Sequence, residues 1–91
     1  MRLDLFLRAS RLIIRRSLAQ KFCDAGLVTV NGAVARSSKE VRPGDQIEIR
    51  RGNRLTTVRV ADLPKTKQVS RSDAGNLFET VKEEMIEDNI L

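Results

Sequence analysis

Residues 26–32, GLVTVNG, mark the point at which the hydrophobic period of the chain changes from helical to extended. The first glycine follows an amphipathic segment, and glycine commonly ends helices. Val28 and Val30 then alternate with a polar residue, which predicts a strand with one buried face. Asn31-Gly32 is the strongest short-range signal for a tight hairpin turn. The stretch therefore predicts a helix that leads directly into a β-hairpin.

Two helices are predicted before this stretch. Leu3, Phe6 and Leu7 recur at helical spacing and predict a short first helix. On its flank, Asp4 and Arg8 are four residues apart, with the acid before the base, which favours an ion pair. A second helix is predicted from about residue 15 to residue 25, with an apolar face made of Leu18, Ala19, Phe22, Cys23 and Ala25.

Short strands and turns follow the first hairpin. Pro43-Gly44-Asp45 predicts a turn, because proline presets the backbone and glycine permits the next conformation. Ile47 and Ile49 alternate in the next strand, Gly52-Asn53 predicts another turn, and residues 56–60 predict a last strand. The predicted fold class is α+β, with two N-terminal helices packed on a small antiparallel sheet.

The C-terminal third differs in composition from the rest. We predict a domain over residues 1–63, a polar linker over 64–72, and a C-terminal amphipathic segment over 73–91. This segment is predicted to form a helix from about residue 73 to 88, packed on or beside the domain. Its apolar stripe consists of Ala74, Leu77, Phe78, Val81 and Met85.

Charge and composition limit the classes of function that the chain could have. Residues 1–60 carry 13 Lys and Arg against 5 Asp and Glu, a net charge of +8, and residues 61–91 carry 4 against 7, a net charge of −3. The basic part suits a polyanionic partner. The chain has no histidine, and the acids of the basic part are scattered, so we expect no enzyme. The single Cys23 cannot form an internal disulfide and is expected to be a buried hydrophobe.

Arginines crowd the first 16 residues. Arg15 and Arg16 are predicted at the start of the second helix, where the helix dipole already disfavours cations. The same helix end can bind an anion, so two arginines there fit a bound phosphate. Two other interpretations remain open, namely that these arginines extend into solvent or that Arg16 pairs with an acid elsewhere. The candidate residues for binding such a polyanion are Arg2, Arg8, Arg11, Arg15, Arg16, Gln20, Lys21 and Asn31.

Two of these candidates have an equally simple structural explanation. Arg8 either pairs with Asp4 or contacts the bound polyanion. Asn31 is first a turn residue, and the turn alone accounts for it. Arginines also cluster around the predicted hairpin at residues 50–54, where basic residues commonly protect sheet edges.

The order of these features resembles the S4 RNA-binding domain over about residues 1–50. The resemblance rests on Met1-Arg2-Leu3-Asp4, Phe6-Leu7, Ser10-Arg11, Arg16, Leu18-Ala19, residues 26–32 and Val41-Arg42-Pro43-Gly44-Asp45. Members of that family bind RNA through their first two helices and the adjoining loop. The resemblance thus implies RNA contacts by Arg2, Arg11, Arg15, Arg16 and Asn31. The family often has a basic residue where this chain has Leu5, so either one cationic contact is absent there or a protein contacts this position.

The remaining sequence is similar to small S4 proteins of two kinds, one associated with heat shock and one with ribosome quality control. Both kinds bind large ribosomal subunits that still carry a nascent chain on a tRNA. The acidic ending of this chain is closer to the second kind. The resemblance implies binding to rRNA of the large subunit, with contact to peptidyl-tRNA left open. We expect a cytoplasmic monomer with no cofactor, metal, membrane or small-molecule substrate. The alternative is a protein-interaction module that docks a partner through the C-terminal helix.

Overall fold

A computed structural model describes residues 1–66 and 69–86, and it places two helices on one face of a five-stranded sheet. The strand order is β2-β1-β3-β4-β5, and every neighbouring pair is antiparallel. The predicted α+β class is confirmed. In chain order the elements are α1 (Leu3–Ala9), α2 (Arg16–Asp24), β1 (Val28–Val30), β2 (Ala33–Val34), β3 (Gln46–Arg51), β4 (Arg54–Val60), α3 (Arg71–Ala74), a 3-10 turn (Gly75–Leu77) and β5 (Phe78–Met85).

The change of period at residues 26–32 produces the predicted turn geometry. Gly26 follows the end of α2 with φ of 75°, a left-handed conformation that glycine adopts without a steric penalty. Asn31 (φ 52°) and Gly32 (φ 87°) are both left-handed, as a tight hairpin turn between β1 and β2 requires. The helix end and the hairpin are therefore confirmed.

The core lies between the two helices and one face of the sheet. Val30 pairs with Ile47, which pairs with Val58, so their side chains form a row across three strands. This row is almost completely buried, as are Phe6 and Leu7 on α1. Because strand side chains alternate, Arg59 points to the opposite face, where it is exposed and pairs with Glu79. Phe6 is buried in this core, and the partly buried Phe22 and Phe78 pack against it. The predicted burial of Cys23 is confirmed.

The helix predicted over residues 73–88 is wrong for most of its length. The chain is helical only in the short α3, which Ser70 caps by accepting a hydrogen bond from the Asp73 N–H at 3.1 Å. After the 3-10 turn it forms β5. Val81 is 43% exposed and Met85 is 65% exposed, so the predicted stripe is not one buried face. Residues 67–68 of the predicted linker and residues 87–91, including the acids Glu87 and Asp88, lie outside the described residues.

Strand pairing explains the difference. β5 pairs along the whole of β4, from Val60 with Phe78 to Arg54 with Met85. The register shifts between Thr57 and Val58, which leaves the residue at position 81 as the extra residue of a bulge. Helical spacing of apolar residues is a weak preference, and the backbone hydrogen bonds offered by the open edge of β4 override it.

This correction also affects the alternative function. Docking through the C-terminal helix required an apolar helix face over residues 73–88, and the described part of that segment presents the edge strand β5 instead. The division of the chain at residues 63 and 72 stays a prediction.

Candidate nucleic-acid interface

The carboxylate of Asp4 is fully buried in the first turn of α1, and four residues donate hydrogen bonds to it. Arg2 donates from Nε to Oδ1 at 3.2 Å and from Nη2 to Oδ2 at 3.3 Å. On α2, Arg16 Nε and Gln20 Nε2 donate to Oδ2 at 3.3 and 2.9 Å. The backbone N–H of Leu5 donates to Oδ1 at 2.8 Å. A buried charge is costly unless it is paired and hydrogen-bonded, and this carboxylate is both.

These contacts keep Asp4 ionised. Burial alone would raise the pKa of Asp4, but the hydrogen bonds from Gln20, Arg2, Arg16 and the Leu5 backbone outweigh it and hold the pKa below its ordinary value. The Arg2 and Arg16 side chains are 43% and 45% exposed, whereas the carboxylate side chain is 0% exposed. Asp4 thus fixes the inner part of each arginine, and the rest of each guanidinium lies at the surface.

This arrangement decides between two interpretations that the sequence left open. Arg16 pairs with an acid, and that acid is Asp4. The predicted pair between Asp4 and Arg8 is wrong, because other donors occupy the carboxylate. In residues 1–66 and 69–86, no hydrogen bond or ion pair involves the side chain of Arg8, which is exposed. Its second interpretation, an RNA contact, stays a prediction.

A groove of about 670 Å³ lies beside α1 and the loop that joins the two helices. Three candidate residues, Arg8, Arg11 and Arg16, line it. None of the described residues that line it is acidic. We call this surface the arginine groove. Its lining residues are Met1, Leu5, Arg8, Ala9, Arg11, Ile14, Arg16, Pro64, Thr66 and Val69.

Arg11 has an unusual backbone conformation. Its φ is 60°, and it follows Ser10, the residue that ends α1. The left-handed region costs a residue with a Cβ roughly 1–2 kcal/mol, and glycine is the common choice at this position after a helix. The Arg11 N–H donates to the Arg8 carbonyl at 3.0 Å, so the turn is fixed. The chain therefore accepts backbone strain to place an exposed arginine in the groove.

The remaining three candidates, Arg15, Lys21 and Asn31, neither contact Asp4 nor line the arginine groove. Arg15 is the N-cap residue of α2, is exposed, and makes no side-chain capping hydrogen bond. Lys21 is exposed and lies five residues after Arg16, about 140° around the helix. Asn31 joins two turns, because its Nδ2 donates to Asp45 Oδ1 at 3.1 Å and its Oδ1 accepts from the Gln46 N–H at 2.9 Å. These hydrogen bonds give Asn31 a structural role that needs no RNA. RNA contact by Arg15, Lys21 and Asn31 stays a prediction.

Two features of this surface were missed in the sequence. Asp4 was treated as one half of a helical pair, although its place one turn before the buried Leu7 was a signal that it faces the interior. Arg51 was grouped with a basic hairpin. In the structure its Nη2 donates to the Leu12 carbonyl at 3.0 Å and its guanidinium lies 5.5 Å from the centre of the Phe22 ring. Arg51 therefore fastens the β3–β4 hairpin to the helices.

Comparison with known proteins shows the family to which the chain belongs. The model of the S4 domain family matches residues 1–47, from α1 into β3. A protein of Halalkalibacterium halodurans described as "RQC P-site tRNA stabilizing factor" is 46% identical over 86 residues, which cover 94% of this chain and 96% of that protein. A Bacillus subtilis protein with the same description is 43% identical over 86 residues, covering 94% and 98%. The chain belongs to the S4 domain family.

A solved structure shares this fold. Heat Shock Protein 15 of Vibrio cholerae matches with a TM-score of 0.80 and 32% identity, over 89% of this chain and 81% of that chain. Within the described part of this chain, no helix is long and apolar enough to cross a membrane. Over the same residues, no three His, Cys, Asp or Glu side chains are grouped so that they could hold a metal ion.

The Asp4 contacts predict an acid-dependent loss of stability. Because folding lowers the pKa of Asp4 from its ordinary value of 3.8, its contribution is fully present above that value and is lost as the pH falls through the folded-state pKa. Asp4→Asn should lower the free energy of unfolding by roughly 1–3 kcal/mol at pH 7. The difference from the original chain should shrink below about pH 4. Urea unfolding across pH 2–7 measures it.

Asp24→Asn is the control for this measurement. Asp24 is exposed on α2, and among the described residues no hydrogen bond or ion pair involves its side chain. The free energy of unfolding of Asp24→Asn should therefore differ little from that of the original chain at every pH. An Asp4→Asn protein as stable at pH 7 as the Asp24→Asn protein would contradict the structural role of the buried carboxylate.

The strained turn predicts that Arg11→Gly separates stability from binding. Glycine removes the Cβ penalty, and its larger unfolded-state entropy offsets part of the gain, so stability should stay equal or rise by up to about 1 kcal/mol. RNA affinity should fall about tenfold, because one charge-assisted phosphate contact is lost. Arg11→Ala should weaken binding equally without raising stability. Thermal melting and RNA titration measure both properties, and a lowered Tm with unchanged affinity would make Arg11 a structural residue.

Proposed function

We propose that this chain is a non-catalytic RNA-binding protein of ribosome quality control. It binds structured rRNA of the large ribosomal subunit, and P-site tRNA, in complexes that carry a stalled nascent chain. One observation carries the proposal: a buried, ionised Asp4 holds Arg2 and Arg16 at the surface, and Arg16 lines a groove together with Arg8 and Arg11. Fixed arginines suit phosphate groups, because the planar guanidinium makes two parallel hydrogen bonds.

The relatives support the finer part of this proposal. The curated proteins described as "RQC P-site tRNA stabilizing factor" match this chain over nearly its whole length, with the S4 region included. A factor that stabilises tRNA in the P site acts on the ribosome, and this description of the relatives supports a cytoplasmic location for the present chain. Phosphate contacts alone do not select a sequence, so we infer that the folded shape of rRNA and tRNA determines where the protein binds.

The carboxylates of the domain support a binding role over catalysis. Asp4 organises two arginines, and Asp45 accepts hydrogen bonds from Asn31 Nδ2 and from the Arg42 backbone N–H. Each of these acids is engaged in shaping the protein itself. The proposed function therefore requires no acid or base chemistry from them, and the protein acts by holding RNA.

The proposal predicts a strong salt dependence and association with large subunits. With roughly four to six phosphate contacts, the logarithm of the affinity should fall with the logarithm of salt concentration with a slope on the order of −3 to −5. Arg15→Ala should reduce the magnitude of this slope by about 1 and weaken binding to an rRNA fragment about tenfold. The same variant should be depleted from large subunits that carry a nascent chain in a sucrose gradient.

Arg59→Ala is the matched control. It removes the same charge from an exposed arginine on the other face of the sheet, where Arg59 pairs with Glu79. Its slope and its sedimentation should equal those of the original chain, and neither variant should change the Tm by more than a few degrees. Salt-independent RNA binding, or sedimentation of the original chain only in ribosome-free fractions during translational stalling, would refute the proposed function.

A further inference from the structure

Ile14 stands out among the residues of the arginine groove. It lies in the loop between α1 and α2, and 74% of it is exposed. The loop is fixed just before it, because Ile13 is fully buried and its N–H donates to the Leu7 carbonyl at 3.1 Å. A single exposed aliphatic residue is common on protein surfaces. Here, however, a fixed loop holds an exposed isoleucine among several arginines, and this combination indicates a more specific use.

The surroundings of Ile14 define what could occupy the groove. Leu5, Pro64 and Val69 add apolar surface, while Arg8, Arg11 and Arg16 supply positive charge. None of the described lining residues carries a negative charge. A complementary ligand therefore has to combine an anionic group with a flat or compact apolar group in a space of about 670 Å³.

An RNA nucleotide has this combination of groups, but only when it is unpaired. In a duplex the face of each base is covered by its stacked neighbours, so the protein meets mainly phosphates and sugar hydroxyls. In a loop or a bulge, the base face is free to contact a side chain. Isoleucine is among the apolar residues that proteins wedge between the base steps of DNA, so its side chain can contact the face of a base. The chain has no Trp or Tyr for this purpose.

We propose that the arginine groove binds an unpaired nucleotide of the RNA, with its base against Ile14 and its phosphate on the arginine rim. This inference rests on the proposed function and adds to it a preference for looped or bulged RNA over a plain duplex. The arginines supply the salt-dependent part of the affinity. Ile14 supplies a salt-independent part, which a duplex cannot use.

Two RNA probes and two matched variants test the proposal. The probes are a hairpin with an unpaired apical loop and a fully paired duplex that contains the same stem. The variants are Ile14→Ala and Val34→Ala, since Val34 is also an exposed aliphatic residue, 68% exposed, on the edge strand β2. Ile14→Ala should bind the hairpin about fivefold to tenfold more weakly. Its affinity for the duplex, its salt slope and its Tm should not change, and Val34→Ala should match the original chain on both probes.

The outcomes separate this inference from the proposed function. If the original chain binds neither probe, the RNA-binding function itself fails, and the nucleotide site fails with it. If the original chain binds both but Ile14→Ala has no effect, or weakens both equally, only the nucleotide site is overturned. If Ile14→Ala keeps its RNA affinity but no longer sediments with large subunits, the groove binds a protein instead. A 2-aminopurine base in the loop gives a second readout, because its fluorescence should change on binding the original chain and not on binding Ile14→Ala.

Discussion

A buried carboxylate has to be compensated by its neighbours, and at Asp4 this requirement connects the two helices. The compensation comes from Arg2, at the N-cap of α1, and from Arg16 and Gln20, in the first half of α2. Each donor is held in place because an unpaired charge in the core would be costly. The same hydrogen bonds that stabilise the helix pair thus orient two arginines at the surface. In the proposed function, stability and RNA binding therefore both depend on Asp4.

Several residues near this carboxylate are poor choices for stability alone. Arginine occupies the N-cap of both helices, Arg2 in α1 and Arg15 in α2, where side chains that accept hydrogen bonds are favoured. Arg11 adopts a left-handed conformation that suits glycine. Departures from local rules concentrate where function requires them, and here they concentrate around the arginine groove. At the tight turns of the rest of the domain, glycine or asparagine occupies the left-handed positions, as local preferences favour.

The sequence predicted those elements in which local and tertiary preferences agree. The end of α2 and the hairpin at Asn31-Gly32 were predictable, since each depends on glycine or asparagine in a left-handed conformation. β5 was not, because Val81 and Met85 fit a helical period and only the open edge of β4 makes the strand favourable. The sequence predicted which residues make up the candidate surface, but not which of them contact one another. The role of Asp4 depends on its contact with Arg16, and a contact between residues 12 positions apart leaves no periodic signal.

The central claim is that Asp4 serves RNA binding by positioning arginines, and the sign of one affinity change tests it. Asp4→Asn removes a negative charge beneath a surface that binds a polyanion, so charge alone would strengthen binding. The Kd for an rRNA fragment should be measured at pH 7, well below the Tm of the variant, with Asp24→Asn as the control for charge removal. The account predicts roughly tenfold weaker binding for Asp4→Asn, because Arg2 and Arg16 lose their fixed orientation, and equal or slightly tighter binding for Asp24→Asn. Equal or tighter binding by Asp4→Asn would contradict the account.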